Sequence, residues 1–127
     1  MAWKFDNNIP IYIQISNIIK LQIVTKQLKS GDKLPTVRDL AETAGVNPNT
    51  VQRALSDLET EGFVYSVRTT GRFVTDNVDL IQRTRVELAQ NELETFVSNM
   101  LNLGFEESEL VAQLEGFLKG DSYGHAV

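Results

Sequence analysis

Between Thr36 and Gly62 the chain starts and stops a helix twice, with almost nothing between the two. The first segment reads "TVRDLAETAG". Thr36 suits an N-cap and Asp39 stands three residues on, a capping-box arrangement with Asp in place of the usual Glu. Val37, Leu40, Ala41 and Ala44 fall on one helical face, and Gly45 takes the position after the last turn, where a left-handed residue ends a helix. The second segment, "VNPNTVQRALSDLETEG", begins again at once. Asn47 suits a cap and Pro48 the first helical position, Val51, Ala54, Leu55 and Leu58 face inward, and Gly62 ends the run. Two short helices joined by a tight glycine-containing turn make a helix-turn-helix.

The flanks extend this unit. Apolar residues at Ile11, Ile15, Ile18, Ile19 and Leu21–Ile23 recur at spacings of three and four, which predicts an amphipathic helix over roughly residues 10–28 with Pro10 in its first turn. "KSGDKLP" reads as a loop. "FVYSVRTTGRFVTD" reads as a hairpin, with strands Phe63–Val67 and Arg72–Thr75 around a turn at "RTTG". Three helices and a two-stranded ribbon form a winged helix. From Val78 the helical period returns: Val86, Ala89, Leu93, Phe96, Val97, Met100 and Leu101 form one stripe, "NLGF" interrupts it, and Leu110, Val111, Leu114, Phe117 and Leu118 form a second. The expected fold is therefore mainly α with a small β-wing. A winged helix-turn-helix domain spans residues 1–76, a two-helix dimerisation segment spans 77–120, and 121–127 form a disordered tail.

A formal charge of −5 argues against a partner made of phosphates, but the mean conceals a division. Residues 1–75 hold nine Lys/Arg and seven Asp/Glu, whereas residues 76–127 hold three and ten. The field at a binding face depends on local charge, so the front half is free to meet nucleic acid. The chain has no cysteine, which excludes disulfides and thiolate zinc sites and suits a reducing cytoplasm. Its single histidine, His125, lies in the terminal Gly/Ser/Tyr stretch and reads as a tail residue, not a ligand or a base. No apolar run approaches the roughly 20 residues of a membrane span, and the start lacks the pattern of a signal peptide. No metal or cofactor site is expected.

The outward positions of the second helix are Asn47, Asn49, Thr50, Gln52, Arg53 and Ser56. These residue types suit a DNA-reading helix. Asn and Gln pair with adenine, Arg with guanine or phosphate, and a Thr methyl with the thymine methyl, while the helix N-terminus attracts phosphate. Arg38 stands in the first turn of the preceding helix, and Arg68 and Arg72 bracket the expected wing tip, which gives three separated cations around one polar helix. Read alone, Asn47 is a helix cap and the remainder a solvated face; the three arginines favour double-stranded DNA as the partner.

Four blocks in order, "PIYIQI", "LKSGDKLPTVRDLA", "VNPNTVQRALSDLETEGFV" and "TGRFV", resemble the winged-helix domain of GntR-family bacterial transcription repressors. The resemblance covers about residues 8–75. The short two-helix tail and the "NPNTV" core are similar to the YtrA-like subfamily, as distinct from larger members whose C-terminal domains bind metabolites. The resemblance implies a cytoplasmic homodimer that binds an inverted-repeat operator and represses genes, often those of an ABC transporter. It places DNA contacts at Arg38, Asn49 and Thr50 and in the wing near Gly71. Thr36 stands where most relatives have serine, which preserves the hydroxyl cap. Thr69 replaces a glycine usual in the wing tip, so the wing's entry into the minor groove is in question. Pro48 replaces an arginine common in larger members, which shifts base reading toward Asn49, Gln52 and Arg53.

The acidic half has an apolar stripe that one helix cannot bury alone. Pairing of two copies is the economical solution, with Leu93, Phe96, Val97, Met100, Leu114 and Phe117 as the expected interface; packing onto the chain's own winged domain is the alternative. Two helices leave little room within one subunit for an effector pocket of roughly 300–1,000 Å3, so a dimer seam or the space between domains is where one would have to lie. Two other functions compete with DNA binding. A winged helix used for protein contacts would bind DNA weakly and without salt dependence. An enzyme would need a carboxylate or lysine centre, yet the acidic residues fall on outward helical faces, as a solvated surface does.

Overall fold

The computed structural model describes residues 3–120; the tail 121–127, with His125, lies outside the described residues. The elements are α1 (Ile11–Val24), α2 (Val37–Ala44), α3 (Pro48–Thr60), β1 (Val64–Val67), β2 (Gly71–Val74), α4 (Val78–Asn102) and α5 (Glu107–Leu118). The expected mainly α fold with a small wing is the fold observed. The chain divides into two compact units between Arg85 and Val86, within α4.

The core of the first unit is built around α3, which packs against α1, α2 and β1. Val51, Ala54, Leu55 and Leu58 of α3 are fully buried and meet Ile15, Ile19 and Ile23 of α1, Leu40 and Ala41 of α2, and Phe63, Val64 and Val74 of the hairpin. Small residues let α1 and α3 approach closely: the buried Ser16 hydroxyl donates to the Ala54 carbonyl at 3.3 Å, so no polar atom there is left unpaired. Leu80 and Ile81 of α4 also pack on this core, so the start of α4 belongs to the winged domain in its packing.

The helix-turn-helix closes as its punctuation requires. The Thr36 hydroxyl accepts from the Asp39 amide at 3.1 Å. The return bond of a full capping box is not among the described hydrogen bonds, as fits an aspartate one methylene shorter than glutamate. Gly45 adopts φ 74°, the left-handed conformation that glycine reaches without a Cβ clash, and its amide donates to the Ala41 carbonyl. Asn47 caps α3 through a 2.8 Å bond from the Asn49 amide, and Pro48 holds the first helical position.

Three boundaries differ from the sequence reading. Helix α1 stops at Val24, not near residue 28, because Lys26 turns to φ 64° and Leu28 folds back to place its amide on the Gln22 carbonyl at 3.0 Å. Leu28 is partly buried against the core, so its apolar signal came from tucking, not from a continued helix. Pro10 serves as the N-cap of α1, one residue before its expected place. The segment read as the loop "KSGDKLP" is partly ladder. Leu34 donates to the Arg72 carbonyl at 2.8 Å, Val74 to Asp32 at 2.9 Å and Gly31 to Val74 at 2.9 Å, so it lies along β2 through a single bridge, Lys33 opposite Phe73. That pairing is non-local and carries no alternation of its own.

The hairpin pairs Val64 with Val74, Tyr65 with Phe73, Ser66 with Arg72 and Val67 with Gly71. Its turn is closed by the Thr70 amide on the Val67 carbonyl at 3.0 Å. Thr69 sits at φ 63°, a left-handed conformation costly for a β-branched residue and natural to glycine. Gly71 follows at φ 135°, and a Cβ there would lie 3.0 Å from Cε of Lys33, whose stem crosses it.

In the second unit, α5 begins with the Glu109 carboxylate accepting from the Glu106 amide at 2.9 Å. Leu110 is buried, but Leu93, Leu103, Val111, Leu114, Phe117 and Leu118 are exposed, and Phe96, Val97 and Met100 are partly so. An apolar groove of about 320 Å3 runs between α4 and α5, lined chiefly by Leu93, Phe96, Val97, Leu110, Val111 and Leu114. No helix among the described residues is long and apolar enough to cross a membrane.

Leu58→Ala should lower unfolding free energy by about 2–5 kcal/mol, measured by urea denaturation, because it opens a cavity where α1, α3 and the hairpin meet. Gly71→Ala should cost roughly 1–3 kcal/mol in the same measurement, since alanine at φ 135° is strained whatever Lys33 does.

Candidate nucleic-acid interface

Burial of one face of α3 determines which residues the opposite face presents. With Val51, Ala54, Leu55 and Leu58 turned inward, the 3.6-residue period brings Asn49, Gln52, Arg53 and Ser56 onto a single exposed ridge, with Thr50 at its edge. The first-turn residues of that ridge are available. Among the described residues, neither the Asn49 carboxamide nor the Thr50 hydroxyl has a hydrogen-bond partner. Asn47, in contrast, spends its side-chain oxygen on the cap. Gln52 holds Ser56 one turn on at 3.3 Å, an exposed bond that a base edge could replace.

All four arginines of residues 1–75 lie at the candidate site, and they behave differently. Arg38, in the first turn of α2, reaches Glu42 at 3.6 Å with its side chain 87% exposed, a pair that contributes little in water. Arg68 lies in the exposed wing turn and has no ion pair among the described residues. Arg72 stands on the β2 side of the wing turn and is paired. Its Nε lies 3.4 Å from Glu59 of α3, only 22% of the side chain is exposed, and the Ser66 hydroxyl donates to the same carboxylate at 2.8 Å. Arg72 therefore ties the wing to α3 and its charge is largely matched. Arg53 is held differently again: its guanidinium lies 3.8 Å from the centre of the Tyr12 ring, and its Nη2 donates to the Tyr12 hydroxyl at 3.1 Å.

The wing and the segment before α2 enclose a groove of about 440 Å3. Lys33, Thr36, Arg68, Gly71 and Arg72 line it, so the N-terminus of α2 and three cations border the same space, Arg72 among them with its charge matched by Glu59. Three residues at this surface were not singled out by sequence reasoning. Lys33 stood in a segment read as loop, and its place beside Gly71 depends on pairing with β2. Glu59 lies near the C-terminal end of α3, and only the register of β1 with β2 brings Ser66 and Arg72 to it. Tyr12 lay inside the "PIYIQI" block, but helical spacing alone cannot show which residue of α3 it meets.

Together these elements present a polar helix face with free amide and hydroxyl groups, flanked by cations from α2, the wing and the segment before α2. This is the chemistry that reads base edges and holds phosphates. Residues 11–74 match the family described as bacterial regulatory proteins, gntR family. The chain is similar to an uncharacterized HTH-type transcriptional regulator, YhcF, of Bacillus subtilis, at 37% identity over 92% of this chain and 97% of the relative. It is 30% identical to the HTH-type transcriptional repressor YtrA of the same organism, over 87% of this chain and 88% of the relative. Among solved structures, a GntR family transcriptional regulator from Listeria monocytogenes superposes with a TM-score of 0.77 at 39% identity, covering 87% of this chain and 97% of that one. The DNA-binding domain of AraR in complex with operator ORR3 matches 59% of this chain and 88% of that one, at 31% identity and a TM-score of 0.52. These are regulators, not enzymes. The chain belongs to the GntR family and is a DNA-binding transcription regulator.

Proposed function

We propose that the protein is a cytoplasmic homodimeric repressor that binds an inverted-repeat operator, with α3 as the helix that enters the major groove. The unpartnered Asn49 and Thr50 at the exposed start of α3 carry this reading, because a recognition helix contacts base edges with its N-terminal residues. Arg38 and Arg68 contact phosphates on either side, Gln52 reads a base edge beside Asn49, and the wing approaches the backbone near Gly71. Arg72 supports the wing through Glu59. Repression is supported by the likeness to YtrA, and an ABC-transporter operon is the target class that the subfamily resemblance implies. No small-molecule effector is assigned within one subunit.

The homodimer is supported by the exposed apolar surface of the second unit. Leu93 and Phe117 remain 51% and 43% exposed, and Leu114 40%, along one acidic segment whose polar face is already solvated. Pairing of two copies would remove this surface from water at roughly 25 cal/mol per Å2. In this reading residues 1–76 bind DNA and 77–120 dimerise. Twofold symmetry then sets two α3 helices about one turn of DNA apart, or a multiple of it.

Selection of bound sequences from random DNA tests both parts, because a dimer returns a two-fold symmetric site. Asn49→Ala should relax preference at one position of each half-site, costing roughly 1–3 kcal/mol of discrimination, while Arg38→Ala should weaken specific and nonspecific binding alike. A selected motif unchanged by Asn49→Ala would remove Asn49 from base reading. The paired substitution Leu93→Glu with Leu114→Glu should yield a folded monomer by sedimentation. A dimer that survived it would place the interface elsewhere.

A further inference from the structure

The sequence offers Arg53 as a base reader, but its setting suits another task. Arg53 leans from the exposed ridge of α3 toward α1, where Tyr12 lies under it at 3.8 Å and accepts from it at 3.1 Å. An arginine on a helix would ordinarily find Asp57, four residues on. Here no described ion pair joins them, although Lys20, Arg38 and Arg72 each have a carboxylate partner. Arg53 is thus ordered without being neutralised. Its ordering partner is itself anchored, since Tyr12 is half-buried and packs against the core.

We propose that Tyr12 and Arg53 form one preassembled phosphate clamp, in which Tyr12 is a positioning residue and Arg53 contacts the DNA backbone instead of a base. The proposal rests on α3 as the groove-entering helix. The stack uses one face of the guanidinium and the hydroxyl uses one N–H, leaving the other N–H donors for a phosphate oxygen. The Tyr12 oxygen already accepts from Arg53, so its own proton is free to donate to the same phosphate. Base reading would require the arginine to extend past Asn49 and Gln52 into the groove and to abandon both contacts. A phosphate at the groove edge lets it keep them. Ordering before binding spares the loss of side-chain freedom that a free arginine would suffer on contact.

The test uses the full chain with Arg53→Gln, Tyr12→Phe, Tyr12→Leu and the Arg53→Gln/Tyr12→Leu double substitution, with Asn49→Ala as the base-reading control. Affinities for the selected site and for scrambled duplex are measured across a salt series, and thermal melts confirm folding. Arg53→Gln should weaken both duplexes by the same factor, on the order of tenfold, and lower the salt slope by about 1, with the selected motif unchanged. Tyr12→Leu should weaken both in parallel. The double variant should be no weaker than Arg53→Gln alone, because Tyr12 acts through Arg53. Tyr12→Phe keeps the ring and should recover part of the loss. If Arg53→Gln alters the selected motif at one position, Arg53 reads a base and the clamp is overturned while the α3 reading stands. If the double variant loses the product of the two single effects, Tyr12 does not act through Arg53 and the clamp is again overturned. If neither these variants nor Asn49→Ala changes binding, α3 does not enter the groove, and the parent reading falls as well. Should Tyr12→Leu fail to fold, Arg53→Gln and Tyr12→Phe, both conservative of packing, still decide the matter.

Discussion

The contact between α1 and α3 governs the rest of the winged unit. Ile15 and Ile19 meet Val51, Ala54, Leu55 and Leu58 with no exposed apolar remainder, and the Ser16–Ala54 bond marks how closely the backbones approach. A helix buried along one stripe has no rotational freedom left. Once those four positions face inward, Asn49, Gln52, Arg53 and Ser56 must face outward. The polar face is therefore a consequence of the core.

The surface separates cations by what holds them. Arg72 is matched by Glu59 and shared with Ser66, so it stabilises the hairpin against α3. Arg38 and Arg68 are exposed and weakly held, as suits long-range attraction of a polyanion. Arg53 is ordered by an aromatic ring that leaves its charge intact. A count of positive residues treats these four as equivalent. Their partners differ: Arg72 shares a carboxylate that also accepts from Ser66, Arg38 has an exposed pair, Arg53 an aromatic ring and Arg68 no ion pair among the described residues.

The charge division along the chain has a matching physical basis. The winged unit carries the mildly basic balance and the second unit the acidic one, with one Lys against eight Asp/Glu. The acidic segment also lines a groove between α4 and α5 with apolar residues and leaves others exposed. The described acidic residues of the segment lie toward water, as charged side chains do, while Leu93, Val111, Leu114 and Leu118 remain exposed beside them.

The helix-turn-helix was legible from residues 36–62 because its signals are local. Caps, a left-handed glycine and a proline at a helix start act within a turn of where they stand, and the buried stripes follow a period of 3.6. The end of α1 was not legible, since Lys26 turns left-handed with no glycine to announce it and Leu28 imitates a further turn. Nor was the bridge from Lys33 to Phe73, whose partner β2 lies about forty residues on. By itself the sequence determined the winged-helix class, the family resemblance and the polar composition of α3, all of them properties of neighbouring residues or of periodic pattern. Only the tertiary structure decided that Arg72 binds Glu59, that Lys33 crosses Gly71 and that Arg53 rests on Tyr12. Those partners are distant in sequence, and packing alone brings them within a few ångströms.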